Sequence, residues 1–416
     1  MTKIRQFIFI ILILCLAMLL HSCGQMTAED EGLDSKSIEE ASGSTGITTD
    51  DTTTDDSTES IIFVAVGSSG SILTSSDGAS WTFRTSASSQ QLKGITYANS
   101  IFVVLGQSGR IQTSSDGSTW TSRTSGTTNG LSNVSYGNSI FAAVGSSSTI
   151  LTSSNGTSWT SRTSAVSDYL KGITYGNSIF VVVGQSGTIQ TSSDGSTWIS
   201  RTSGFSSGYI RDVTYANNTF VAVGDNGIIL TSSADNATSW TSRTSGTNLS
   251  LYDIAYGNSI FIVTPSSISG NIMTSSNGTS WSTGASSPSC CLYGVTYGNS
   301  NFVGMGGNDI RTSSDNGANW TSRTPGTSNS LRDVTYGNNI FVGVGDSGTI
   351  ITSSDGSSWT SRTSGTSYNL MGINYVNSLF IAVGESGTIL TSSDGITWSA
   401  RTSGTSNTLY GVSYKE

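Results

Sequence analysis

From residue 61 onward, short apolar runs alternate with polar turns in an order that recurs to the C-terminus. One copy reads Leu170-Lys-Gly-Ile-Thr-Tyr175, Gly176-Asn-Ser178, Ile179-Phe-Val-Val-Val183, Gly184-Gln-Ser-Gly187, Thr188-Ile-Gln-Thr-Ser-Ser193, Asp194-Gly-Ser-Thr197 and Trp198-Ile-Ser-Arg-Thr202. Runs of this length, rich in β-branched residues and bounded by Gly, Asn and Asp, read as strands joined by turns, so each copy predicts four strands. The second run is apolar throughout, as a strand covered on both faces must be. The Trp-led run is mostly polar and suits an outermost strand. No stretch of the repeat region carries helical periodicity, and proline occurs only 3 times in the chain.

Tryptophan marks the period. Trp81, Trp120, Trp159, Trp198, Trp240, Trp281, Trp320, Trp359 and Trp398 are separated by 39, 39, 39, 42, 41, 39, 39 and 39 residues. A fixed period of this size signals a propeller or a solenoid. The ends decide between them: repetition starts at Ile61 with the second strand of a unit and stops at Leu409-Tyr-Gly-Val-Ser-Tyr414 with a first strand. The C-terminal run can therefore supply the inner strand missing from the first unit and close a ring, which also removes long exposed strand edges. No distinct capping repeat of the kind a solenoid needs is present. The expected fold is all-β, a single β-propeller of about nine four-stranded blades over residues 61–416.

The segments before residue 61 have another character. Lys3 and Arg5 precede the apolar run Ile8 to Leu20, which is too short to span a bilayer and ends in Leu20-His21-Ser22-Cys23. This looks like a bacterial lipobox, so residues 1–22 are read as a lipoprotein signal peptide and Cys23 as the lipid-bearing N-terminus. Residues 23–60 hold 11 acids against Lys36 and no aromatic residue, the composition of a self-repelling, disordered tether. Taking that net −10 and the signal's +2 from the total of −9 leaves −1 for the repeats, so nucleic-acid binding has no electrostatic support. The expected setting is the bacterial cell envelope, at the outer membrane or cell surface rather than the inner membrane; Gly24 follows Cys23 where inner-membrane retention would favour Asp.

Within the repeats, Ser313-Ser-Asp315-Asn-Gly317-Ala-Asn-Trp320 resembles the Asp-box of BNR-type propellers, and most other copies are one residue shorter, with Asn155 and Asn277 replacing the acid. Over 61–416 the chain is similar to sialidase-like propellers and to photosystem II assembly-factor propellers. The resemblance implies that the Asp closes a turn between the third and fourth strands while the Trp packs between blades. It specifies a fold and leaves the activity open.

Catalytic chemistry is thinly provided. His21, the only histidine, leaves with the signal, so Ser-His-Asp and Cys-His mechanisms and histidine metal sites are excluded from the mature chain. Repeat-region glutamate occurs only at Glu385 and Glu416, whereas glycoside hydrolysis needs a carboxylate pair or a Tyr with a Glu partner. Eight arginines three residues after a Trp, Arg84, Arg123, Arg162, Arg201, Arg243, Arg323, Arg362 and Arg401, recur too regularly to mark one active site. A non-catalytic role is expected, without metal or cofactor. A sialidase-like hydrolase is the weakest alternative, and scaffolding or assembly of a membrane complex the stronger one.

Specificity can reside where the copies disagree. The residue after the first Leu or Ile of the unit varies, giving Lys93, Lys171, Arg211, Tyr252, Tyr293, Arg332 and Tyr410, with Ser132 and Met371 in the remaining copies. The loop after the second strand varies too and offers Gln107, Gln185, Asp225, Asp346 and Glu385. Both sets should reach one mouth of the ring and suit a protein or glycan ligand, the ring itself acting as a monomer. Adjacent Cys290 and Cys291 lie in an inter-blade loop, as a vicinal disulfide or as two thiols.

Overall fold

The computed structural model describes residues 62–84, 89–233, 237–265, 272–283 and 292–415. The signal, Cys23, the acidic tether, Cys290 and Cys291 lie outside them. Every strand belongs to one of nine four-stranded antiparallel sheets, and the helical content of the described residues is six 3₁₀ turns. Blade four is representative: inner strand Leu170–Gly176, second strand Ile179–Gly184, third strand Ile189–Ser192 and outer strand Ile199–Arg201 pair in chain order. The outer strand begins after the Trp rather than with it.

Blade one is completed from the other end of the chain. Its strands Ile62–Gly67, Ile72–Ser75 and Thr82–Arg84 take Leu409–Lys415 as inner strand, with Phe63 opposite Tyr414 and Ala65 opposite Val412. The packing closes as well, because Ile381 and Val383 of blade nine share one buried cluster with Phe63, Leu73 and Leu409 of blade one. The fold is thus the closed nine-bladed β-propeller that the repeat predicted.

The largest fully buried side chains are nine phenylalanines, Phe63, Phe102, Phe141, Phe180, Phe220, Phe261, Phe302, Phe341 and Phe380, one at the same place in each second strand. Burying each stabilises the fold by roughly 1.5–3 kcal/mol. Each lies in a cluster between two blades; Val144 and Ile150 of blade three meet Leu170, Phe180 and Trp198 of blade four, for instance. Trp198 packs its ring 6.2 Å from Phe180 and donates Nε1–H to the Gly195 carbonyl at 3.2 Å. Trp81, Trp198 and Trp320 are less than a tenth exposed, and the other six indoles are partly buried against the inter-blade clusters, each over a deeper Phe.

One end of the ring is built from uniform turns. Asn177 and Ser178 have φ of 44° and 64°, the left-handed pair of a type I′ hairpin, and the same pair recurs at Asn138-Ser139 and Asn299-Ser300. Asp194 Oδ1 accepts the Ser196 and Thr197 amides at 2.8 Å and the Ser192 hydroxyl at 3.0 Å. Asn155 accepts the matching amides of Thr157 and Ser158 at 2.9 and 3.0 Å through its amide oxygen, which is why the box tolerates Asn. The equivalent amides, Ser80 and Ala79 at Asp77 and Thr397 and Ile396 at Asp394, hold those two carboxyls down to about 2, against the opposing effect of burial. Beside these turns, Tyr215 lies so flat on Gly176 of the preceding blade that a Cβ there would stand 2.1 Å from the ring.

The recurrent arginines are structural. In all eight, Nε donates to the Thr hydroxyl of the adjacent third strand at 2.6–2.8 Å. They fasten the three-residue outer strand to its own blade, and Arg84 also donates to the Ser118 hydroxyl of blade two at 3.4 Å.

Candidate functional site

The strand order brings the inter-blade loops and the second-to-third loops to the end opposite the Asp-box turns. The amides of Gln107, Gln185, Asp225, Asp346 and Glu385 donate to the carbonyls of Gln91, Tyr169, Tyr209, Ser330 and Asn369 at 2.8–3.1 Å. Each variable loop is thereby tied to the inter-blade loop that leads into its own blade.

The variable inner-strand residue has a special backbone position. In blade four Leu170 pairs with Gly184 and Gly172 with Val183, so Lys171 is skipped. The same shift skips Lys93, Ser132, Arg211, Tyr252, Arg332, Met371 and Tyr410. A β-bulge leaves one residue out of the ladder and re-aims its side chain, so it frees this position from the core without disturbing the strand. Tyr293 of blade seven instead donates its amide to the Met305 carbonyl at 2.7 Å.

The bulge residues of three consecutive blades meet. The Arg211 guanidinium lies 4.2 Å from the Tyr252 ring centroid and 5.7 Å from that of Tyr209, while Lys171 Nζ stands 6.0 Å from Tyr252. Asp225 Oδ1 accepts Arg211 Nε–H at 2.6 Å and its Oδ2 accepts the Tyr209 amide at 2.9 Å. Burial alone would raise the Asp225 carboxyl; the Tyr209 amide and the Arg211 charge outweigh it and hold the group below the usual carboxylate range. Tyr169 extends the cluster into blade three, packing edge-on to Tyr209 at 6.3 Å and sharing a 2.9 Å hydrogen bond with the Ser132 hydroxyl. Cations held against aromatic faces in this way keep a fixed geometry at modest exposure.

The remaining candidates are dispersed around the same end. Arg332 pairs through Nε with Asp346 Oδ1 in blade eight. Asn369 donates to Glu385 Oε1 at 3.0 Å, and Gln107 to Gln91 Oε1 at 3.3 Å. Burial pushes the Tyr410 phenol up, and the nearby Glu385 charge adds to this against a hydrogen bond with Ser68. Lys93 and Tyr293 are half-buried and Gln185 is exposed, whereas Met371 is buried and offers the mouth little. An open groove of about 780 Å³ beside blade five, lined by Asn226, Arg243 and Asn248 among others, includes none of these residues. Among the described residues no group of three or more His, Cys, Asp or Glu side chains is placed to hold a metal.

Tyr169 and Tyr209 are the members that the sequence reading passes over. The signal was available, since the position before the inner-strand Leu or Ile also varies, through Gln91, Gly130, Tyr169, Tyr209, Ser330 and Asn369.

No protein-family model and no curated protein matches the chain. Among solved structures, the computationally designed Ika8 protein is similar with a TM-score of 0.52 at 10% identity, covering 77% of this chain and 96% of Ika8. YCF48 bound to D1 peptide follows with a TM-score of 0.43 at 18% identity, over 65% of this chain and 92% of that one. The WD40 β-propeller domain of Doa1 gives 0.40 at 14% identity, over 64% and 90%. The likeness to Ika8 is one of fold.

Proposed function

We propose that this propeller is a non-catalytic binding module that takes a protein or glycan ligand across the mouth formed by blades three to six. The observation that carries this reading is the contact of Arg211, Tyr252 and Lys171, side chains from three blades that the bulge releases from an otherwise repeated scaffold. Fixed aromatic and guanidinium groups are what recognition surfaces concentrate at their energetic centres, because little conformational freedom is lost when they are engaged. The lipobox at Cys23 and the acidic tether suit presentation of the ring outside the cytoplasm, with the lipid as its membrane contact.

Glycan-array and pull-down screening with the immobilised full-length protein tests the reading. Retained ligands should be lost in Arg211→Ala and Tyr252→Ala while Arg123→Ala on the outer strand keeps them; equal binding by all three variants would end the proposal. Turnover of a fluorogenic glycoside that disappears in Glu385→Gln would replace it with an enzymatic one. Protease treatment of intact cells should shave the ring from the surface, and Cys23→Ser should release it from the membrane fraction.

A further inference from the structure

Beneath the mouth, one carboxyl group is sealed inside the ring without a cation. Asp333 follows Arg332 on inner strand Leu331–Gly337 of blade eight and is 0% exposed. Its Oδ1 accepts the amide of Val334 at 2.8 Å, and its Oδ2 reaches across to the amide of Ile373, on inner strand Leu370–Val376 of blade nine, at 2.9 Å. On the other side it is wedged against blade seven, where a Cβ on Gly294 would stand 2.8 Å from Oδ1. The group therefore ties two blades together at main-chain level and has no room to turn away.

Its surroundings favour the neutral acid. The other titratable groups on the strands packed here are Tyr297 of blade seven, Tyr336 on its own strand and Tyr375 of blade nine, and the neighbouring charges are the Arg332–Asp346 pair at the mouth. Burial drives the Asp333 carboxyl well above the usual carboxylate range, and only the amides of Ile373 and Val334 pull the other way. Two neutral amides are thin compensation for a buried full charge. The repeat supplies its own control. At the same place in blade three stands Asn133, the uncharged isostere, whose Oδ1 accepts the Val134 amide at the same 2.8 Å. Asp212 repeats the contacts of Asp333 between blades five and six, at 2.8 and 3.1 Å, but there the following strand carries Asp253 in place of Gly372.

We propose that Asp333 is a proton-operated latch between blades eight and nine: as the neutral acid it sits closed across the two inner strands, and loss of its proton to solvent loosens that junction. The sign follows from the direction of the shift. A carboxyl raised in the folded state contributes stability that is complete below the ordinary carboxylate range and is lost as pH rises through its folded value. This goes beyond ligand binding at the mouth and holds whatever the ligand is.

Hydrogen exchange measured on the full-length protein between about pH 5 and about pH 9 tests the latch, with Asn133 as an internal reference. Relative to residues 131–137 and 170–176, and after correction for intrinsic exchange, protection of 331–337 and 370–376 should fall by up to about tenfold per pH unit as pH climbs from the ordinary carboxylate range to the folded value of Asp333, and level off above it. In Asp333→Asn the extra fall should vanish. Parallel pH dependence at both junctions in the unmodified protein, or an undiminished fall in Asp333→Asn, would overturn the proposal. The comparison within the unmodified chain decides the matter even if the variant does not fold.

Discussion

The two ends of this ring are made by the same strands and follow opposite rules. At the Asp-box end, Asp194 and Asn155 make the same turn, Asn138 donates to the Ser193 carbonyl of the next blade at 3.3 Å, and Asn338 does the same to Ser393. At the mouth, the equivalent bulge residue is Lys171 in blade four, Arg211 in blade five and Tyr252 in blade six, three unlike side chains of which both cations stand against the Tyr252 ring. Blade-to-blade locking at one end keeps the ring in register, so residues at the other are released from structural duty. Variation among internal repeats has the most freedom where the backbone has already stepped out of the ladder.

The largest effect should come from removing what both ends share. Truncation before Leu409 strips blade one of its inner strand and is expected to cost on the order of 5 kcal/mol, read as a lowered and less cooperative thermal transition with aggregation. An unchanged midpoint would show that closure contributes nothing. Next, Phe180→Ala should destabilise by about 3–5 kcal/mol in denaturant titration, whereas Lys171→Ala, on the bulge of the same blade, should stay within about 0.5 kcal/mol. Comparable losses would erase the distinction between scaffold and mouth. Asp394→Ala should cost about 1–2 kcal/mol through its unpaired turn amides, and Asp394→Asn nearly nothing. The smallest effect is acidic. The depressed carboxyls of Asp77 and Asp394 contribute stability present above the ordinary carboxylate range and lost as pH falls toward about 2. The boxes at Asn155 and Asn277 should not respond, and protection in their turns, corrected for intrinsic exchange, should stay flat through that titration.

Much of the architecture is readable from residue order alone. The Trp spacing marks the blades, and the half-unit at each terminus announces the closing strand. What escapes is the division of labour inside a blade. The indole catches the eye because it is rare, yet Phe180 and its eight equivalents lie deeper, since the second strand is sandwiched between blades and the Trp caps its outer flank. The site is harder to read because strand alternation predicts that Lys171 and Ile173 share a face. The bulge breaks that rule, sending Lys171 to the mouth while Ile173 enters the core between blades three and four. The same offset hides Asp333, which follows a mouth residue in sequence and is fully enclosed in space.

Pairing Phe63 with Tyr414 has a consequence for biogenesis. Blade one begins before the other eight blades yet is completed after them, since its inner strand is the stretch Leu409–Lys415 that follows blade nine in chain order. Until that stretch arrives the nascent array carries a raw edge at its leading unit, a state prone to pairing with other chains.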